Sequence, residues 1–307
     1  MNFKPVDMQL LDAISSIKSI PAGAINIRRD GEPVIRQSSP NIRIGTNADN
    51  NGLLVEIKPG TRNETVHVPV IVTKAGFHDK VYNTFVVGED ADITIIAGCG
   101  IHNDGHSDTG HDGIHEIIVK KGARMKYVEK HYGEGSGQGK RILNPTTNII
   151  LENGAIAEME MVQIKGVDDT IRTTIAHIGD KASLKIVERL MTHGEQKAVS
   201  DVRLYIEGQG GSGQILSRSV GRDDSVQVFK AALVGQNECL GHVECDAIIM
   251  NKARIQSIPE LIAENAEAVL THEAAIGKIA GEQLIKLMSL GMTEKDAIDT
   301  ILEGFLR

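Results

Sequence analysis

Small residues at a near-fixed interval constrain this chain most. Ala91, Ala123 and Ala155 are 32 residues apart, and Ala182 follows 27 residues later. Each closes a polar turn and opens an aliphatic run, as in Gly88-Glu-Asp-Ala91-Asp-Ile-Thr-Ile and Lys120-Lys-Gly-Ala123-Arg-Met-Lys-Tyr. Met250-Asn-Lys-Ala253-Arg-Ile reads as a later copy. A unit of about 30 residues with two strands points to stacked coils. A small Ala suits a corner where successive coils come close.

Between about Ile25 and Ala268 short runs of alternating, mostly β-branched residues recur, among them Val66-His-Val-Pro-Val-Ile-Val72 and Val202-Arg-Leu-Tyr-Ile206. The expected fold is mainly β, a parallel β-helix. A β-sandwich of regular hairpins is the competing reading, and the scarcity of Asn-Gly and Asp-Gly turns weighs against it. Aromatic residues make up 3% and Trp is absent, so the core must be filled by Ile, Val, Leu and Ala. Helical spacing appears at both ends. Val6, Leu10, Leu11, Ile14 and Ile17 line one face before Pro21-Ala-Gly23. Ile276, Ile279, Ala280, Leu284, Leu287 and Met288 line another, which Gly291 stops. Thr293-Glu-Lys-Asp296 then opens a last helix carrying Ala297, Ile298, Ile301, Leu302 and Phe305. The expected division is a helical segment over 1–24, a β-helix core over 25–268 and a helical hairpin over 269–307. That hairpin would cap the last coil or present a face to a partner.

The formal charge of −8 argues against nucleic acid or an anionic membrane as partner. No apolar run reaches the length of a membrane span, and the first residues lack a signal region. Three widely spaced cysteines do not make a disulfide framework. A cytoplasmic protein with free thiols is expected. Gly208-Gln-Gly210-Gly-Ser-Gly213 has the letters of a dinucleotide fingerprint, but a strand-like stretch follows where a helix is required. Gly133-Glu-Gly135-Ser-Gly137-Gln-Gly139-Lys140-Arg141 has the wrong spacing for a phosphate loop. No bound nucleotide is expected in this chain.

The chemistry-bearing residues concentrate in two places. The first runs from Cys99 through His102, Asp104, His106, Asp108, His111 and Asp112 to His115 and Glu116. Thiolate, imidazole and carboxylate bind transition metals, and thiolate also carries sulfur. Asn, Asp, Gly and Ser are equally ordinary in a solvated loop. Cys99 is expected at the accessible end of the strand Ile93-Thr-Ile-Ile-Ala-Gly98, and a buried inert thiol is the alternative. The second place is Glu238-Cys239-Leu-Gly-His242-Val-Glu-Cys245-Asp246. Its two thiols would share one face of a strand but lie well apart along it, so no closed zinc site is expected.

These residues resemble the SufB/SufD family, scaffold components of the SUF iron–sulfur cluster assembly machinery. Glu244-Cys245-Asp246-Ala-Ile-Ile-Met is similar to the family's Gln-Cys-Asp-Ser-Leu-Leu-Ile-Gly. Thr271-His272-Glu273-Ala274-Ala275-Ile-Gly277-Lys278-Ile279 is similar to Glu-His-Glu-Ala-Thr-x-Ser-Lys-Ile, and the tail through Glu303-Gly304-Phe305 follows the family order. Ala97-Gly98-Cys99 with Ile114-His115-Glu116 resembles the SufB segments Glu-Gly-Cys and Leu-His-x-Ala. Thr271, Ser257 and Ile258 depart from the family pattern, as does the His/Asp-rich insertion. The resemblance implies a right-handed parallel β-helix and a non-enzymatic scaffold carrying a transient iron–sulfur cluster. It implies that Cys99 accepts sulfur from a desulfurase system, and that Cys245, His272 and Glu273 mark a cluster site at a subunit interface. The family match does not fix Cys239, which is expected as an auxiliary ligand because two chains could then supply four thiols. It implies a SufC-like ABC ATPase docked on the C-terminal helices, here on Ile279, Leu284, Leu287, Ile301 and Phe305. It implies a homodimer or a heterodimer with a related scaffold, and apo iron–sulfur proteins as recipients. His102, His106, His111 and His115 form an additional metal set. The competing reading is a metal-dependent hydrolase using the Cys99–His115 cluster to activate water.

Overall fold

Strand after strand from Val66 onward buries every second residue, the period-2 signature of a pleated chain with one face inside. In the computed structural model, which describes residues 3–47 and 52–307, 59% of the chain is strand, wound into a β-solenoid of about eight turns with three helices. The strands form two ten-stranded sheets, and each coil contributes one strand to each. Pairing between coils is parallel throughout, which rules out the hairpin sandwich. Antiparallel pairs occur only at the N-terminal end, where Ala24–Arg29 pairs Glu32–Gln37 and Ile42–Thr46 pairs Gly52–Ile57.

The alanine repeat is one corner of the solenoid. Ala91, Ala123, Ala155 and Ala182 are buried, and each donates its N–H to the carbonyl three residues back. The residue just before each Ala adopts positive φ: Asp90, Gly122, Gly154 and Lys181. Backbone bonds such as Asp90 N–H to Lys121 O and Gly122 N–H to Asn153 O tie each corner to the next. A side chain larger than Ala would push these corners apart. Ala253 belongs to the opposite corner, stacked over Ser225, so it is not a copy of the same position.

Inside, Ile, Val, Leu, Ala and Met fill the space, with Tyr127 and Phe85 in edge-to-face contact at 6.3 Å. The N-terminal helix, Pro5–Ser15, lays Leu10, Leu11 and Ile14 on the outer face of the first sheet. It sits against Gly98 and Gly100, where a Cβ would come within 2.9 Å of Ile14 O and 3.2 Å of Leu10 Cβ. These glycines flank Cys99, whose side chain points the other way, into the solenoid.

At the C-terminal end the strands Arg254–Ala263 and Ala268–Gly277 form the last coil, each at a sheet edge. Residues 268–277 are therefore strand, and the helical segment begins at Gly281 rather than at 269. The helices Gly281–Ser289 and Glu294–Phe305 leave this coil open. Instead Leu302 and Leu306 pack on Val220 at the side of the first sheet, with Ile279 and Phe305 beside them. Arg189 donates to the Arg307 carbonyl and fixes the tail there.

Candidate functional site

Parallel stacking in register turns distant residues into rows. One inward row of the first sheet carries Ala97, Glu129, Met161, Glu188, Ser217 and Cys245 on six successive strands. The neighbouring inward row carries Cys99, His131 and Gln163. Cys99 and Cys245 thus occupy adjacent rows of the interior, separated by five strand spacings, about 24 Å.

The space between them is polar. From the second sheet Arg172 reaches in, with Nη1 3.6 Å from Glu129 and Nε 4.0 Å from Glu188. Its Nη2 stands 3.3 Å from His131 Nδ1. Ser200 donates a 2.7 Å bond to Glu188. A void of about 10 Å³, room for roughly one water, is lined by Gln163, Thr170, Arg172, Glu188 and Ser200. Nearer Cys99, His115 and His131 place Nε2 3.7 Å from the same Glu129 oxygen, and His111 Nδ1 is 3.3 Å from Asp79. Burial opposes a charge on Glu129, but His131, Arg172 and His115 outweigh it and hold the carboxyl ionised well below its ordinary range. Arg28 and His111 do the same for Asp79. Burial lowers His115 to about 4, so its ring is neutral.

Both row-end thiols are sealed. Cys99 is 6% exposed and Cys245 5%. The accessible strand-end position expected for Cys99 is therefore corrected: it lies among Val70, Val72, Ile101, Leu143 and Val167. Burial, then the Glu129 and Asp79 carboxylates, push its thiol well above the ordinary value, so no imidazolium makes it a ready thiolate. Burial lifts Cys245 to about 11, against the opposing contact with Ser257.

The other expected site residues divide. His272 faces inward with an unpartnered Nε2, diagonal to Cys245 at about 8 Å between backbones. Glu273 is exposed on the opposite face. Cys239 is buried at the far end of the same strand, about 20 Å from Cys245, so one chain does not bring the two thiols together. The four imidazoles of the His/Asp-rich run do not form one set. His102 bonds Asp104 at 2.7 Å and Glu134 at 3.3 Å, and His106 meets Gln138 on the surface. His111 and His115 point inward. Among the described residues, no group of three or more His, Cys, Asp or Glu stands ready to hold a metal ion. The loop itself stacks on 135–140, and Cβ atoms at Gly135, Gly137 and Gly139 would strike the backbone of residues 103–107 at 2.1–2.3 Å. That contact explains the alternating glycines without a phosphate.

Of the residues expected to meet a partner, Ile279 and Phe305 pack against the solenoid, while Leu284, Leu287 and Ile301 are half-buried. The exposed apolar side chains there are Ile285 (68%), Leu290 (75%) and Met288. Glu129, Arg172 and Glu188 escaped the sequence reading. Their signal was parity: each takes an inward position in a strand whose other inward residues are mainly apolar.

A family model described as SUF system FeS cluster assembly, SufBD core domain, matches residues 72–305. An iron-sulfur cluster assembly SufBD family protein of Methanothermobacter thermautotrophicus is 28% identical over 260 residues, 83% of this chain and 62% of that protein. One from Archaeoglobus fulgidus is 28% identical over 267 residues, 86% of this chain and 70% of that protein. The chain thus spans less than two thirds of the first of these relatives and somewhat more of the second. No helix is long and apolar enough to cross a membrane among the described residues. On the match across 72–305, the chain belongs to the SufBD family.

Proposed function

We propose that this chain is a scaffold for iron–sulfur cluster assembly, in which sulfur received at Cys99 travels through the solenoid to a cluster site at Cys245. The observation that carries this is the polar lane: both thiols face the interior on adjacent rows, with His131, Glu129, Arg172 and Glu188 between them. In an apolar solenoid such a lane is costly, since each buried charge must be paired. A hydrolase centred on Cys99 and His115 is less favoured, because both side chains are buried.

Direct thiol–persulfide exchange needs sulfur atoms in contact, and about 24 Å separates the two thiols. Sulfur therefore crosses as a small species. Reduction of a Cys99 persulfide by two electrons, with uptake of one proton, cleaves the S–S bond, restores the thiol and frees hydrosulfide. The electrons come from an external thiol or reduced cofactor. Cys245 lies one strand inside the open edge, with His272 beside it. The last coil exposes Ile258, Leu261, Ile262, Val269 and Ile276 along two unpaired strand edges. Such an end calls for a covering partner, and a second scaffold chain seated there would enclose the Cys245 end as the cluster site. The helices Gly281–Ser289 and Glu294–Phe305 offer Ile285, Met288 and Leu290 to a SufC-like ATPase. ATP-driven movement of that partner would open the sealed thiols, and the finished cluster would pass to apo iron–sulfur proteins.

Anaerobic incubation with iron and sulfide is expected to turn the chain brown, and Cys245→Ser to abolish the charge-transfer absorption while Cys239→Ser retains it. Colour that survives Cys245→Ser contradicts the site.

Two surface variants separate the partners. Ile285→Asp is expected to abolish co-purification with the ATPase and leave self-association intact, while Leu261→Glu does the reverse. If neither contact changes on sedimentation and pull-down, these faces are not the docking surfaces.

Alkylation reads the resting state. A thiol raised to about 11 is mostly protonated at neutral pH, so alkylation of Cys245 in the native chain should climb about tenfold per pH unit between pH 8 and 10. In the urea-unfolded chain the climb should level off near pH 9. Fast native alkylation at pH 7 would mean that the thiol is open without its partners.

A further inference from the structure

Four imidazole nitrogens near Cys99 are buried without a hydrogen-bond partner: Nε2 of His111, His115 and His131, and Nδ1 of His111. A Cβ built on Gly113 would lie 2.8 Å from His115 Nε2 and 3.3 Å from His111 Nε2, so both rings lean over a space kept free by glycine. His115 and His131 share Glu129 Oε1 at 3.7 Å each, an oxygen that also accepts from the Tyr127 hydroxyl at 3.4 Å, while Glu129 Oε2 faces Arg172 at 3.6 Å.

The far nitrogens of two of these rings are engaged: His131 Nδ1 faces Gln163 Oε1 at 3.3 Å and His115 Nδ1 faces the Asn83 amide at 3.3 Å, while His111 Nδ1 lies 3.3 Å from Asp79 without a hydrogen bond. On His115 and His131, Nδ1–H donated to these side chains, with the Asn83 amide turned to present its oxygen, leaves each Nε2 with a lone pair. That is how metal-binding imidazoles are held. Arg172 Nη2 is also 3.3 Å from His131 Nδ1. Both groups cannot donate, so metal binding leaves Arg172 to Glu129 and Glu188. Among the carboxylates and guanidinium groups, Asp79, Glu129 and Glu188 face Arg28 and Arg172, one net negative charge, which favours a cation over an anion.

We propose that His115, His131 and Glu129, with His111 alongside, form a buried site for a ferrous ion next to Cys99. Two imidazoles and one carboxylate are a ligand set suited to non-haem Fe(II). The side chains stand slightly too wide as placed. Tetrahedral bonds of about 2.0–2.1 Å separate N and O ligands by roughly 3.4 Å, so each 3.7 Å contact must close by a few tenths of an ångström. The choice of iron over other divalent ions rests on the cluster-assembly reading; the site itself does not. In that setting it would hold iron one strand from the thiol that receives sulfur.

The test is anaerobic titration of the full chain with Co(II), read by its visible d–d absorption, followed by competition with Fe(II). One tightly held cobalt per chain, displaced by Fe(II), is expected. His131→Gln and Glu129→Gln should each weaken binding at least about tenfold. The joint His102→Ala, His106→Ala chain and Cys245→Ser should bind as the parent does. Melting curves check that the variants fold, and Glu129→Gln keeps the shape of the residue it replaces. A parent chain without a tight cobalt band, holding only water there, overturns the site. So does a band indifferent to both Gln variants, or one lost with His102 and His106. Cluster reconstitution in Cys245→Ser reports on the assembly reading separately.

Discussion

Coil length is the constraint on which the rest of this structure depends. Strands 32 residues apart pair between Asp92 and Arg124 and between Arg124 and Ile156; after that the spacing falls to 27–29. The corners at Ala91, Ala123, Ala155 and Ala182 set a left-handed residue before Ala, the next corner has Gly210-Gly211 in those places, and backbone bonds tie each corner to the next. Between these coils the register slips by one only at Arg62/Glu64 and Gln163/Lys165, so the inward positions between those points stay inward through the stack. The longer early coils spend their extra residues on the stacked loops at 103–108 and 135–140, outside the core. An ordered polar interior is possible only because this register is kept.

That interior sets the chemistry. Glu129, Glu188 and Arg172 are widely separated in sequence and meet only because two sheets face each other across a narrow core. Removing one of them would leave the others as uncompensated buried charges, which costs several kcal/mol, roughly 3–5. The same enclosure makes both lane-end thiols poor thiolates at rest. On the function proposed above, this enclosure would keep sulfur and iron from water and oxygen until a partner opened it, which suits a labile product.

Much of this was legible in the chain. The Ala91–Ala123–Ala155–Ala182 interval revealed the coil and one corner, and Leu10, Leu11 and Ile14 marked the helix that lies on Gly98 and Gly100. Ala253 misled because both corners use the same bond, so local sequence does not tell them apart. The run Ile93-Thr-Ile-Ile-Ala-Gly98 suggests a strand that ends at an accessible Cys99, yet the strand continues to His102 and side-chain parity turns Cys99 inward. The His run looked like one cluster because its members are adjacent in sequence, but His102 turns outward and His111 and His115 inward. Their partner His131 belongs to the next coil, a relation that only the register reveals.

The account stands or falls on passage of sulfur through the interior. The direct measurement loads Cys99 with persulfide whose outer sulfur is isotopically labelled in the assembled complex, adds Fe(II), reductant and ATP, and follows label in the acid-labile sulfide held with iron at the Cys245 end. Labelled sulfide should be held there in the parent chain and lost in Cys245→Ser. In Arg172→Met, which keeps length but removes the central charge, Cys99 should load normally while no labelled sulfide is held at Cys245. Transfer to Cys245 at the parent rate in a folded Arg172→Met chain would contradict a route through the solenoid.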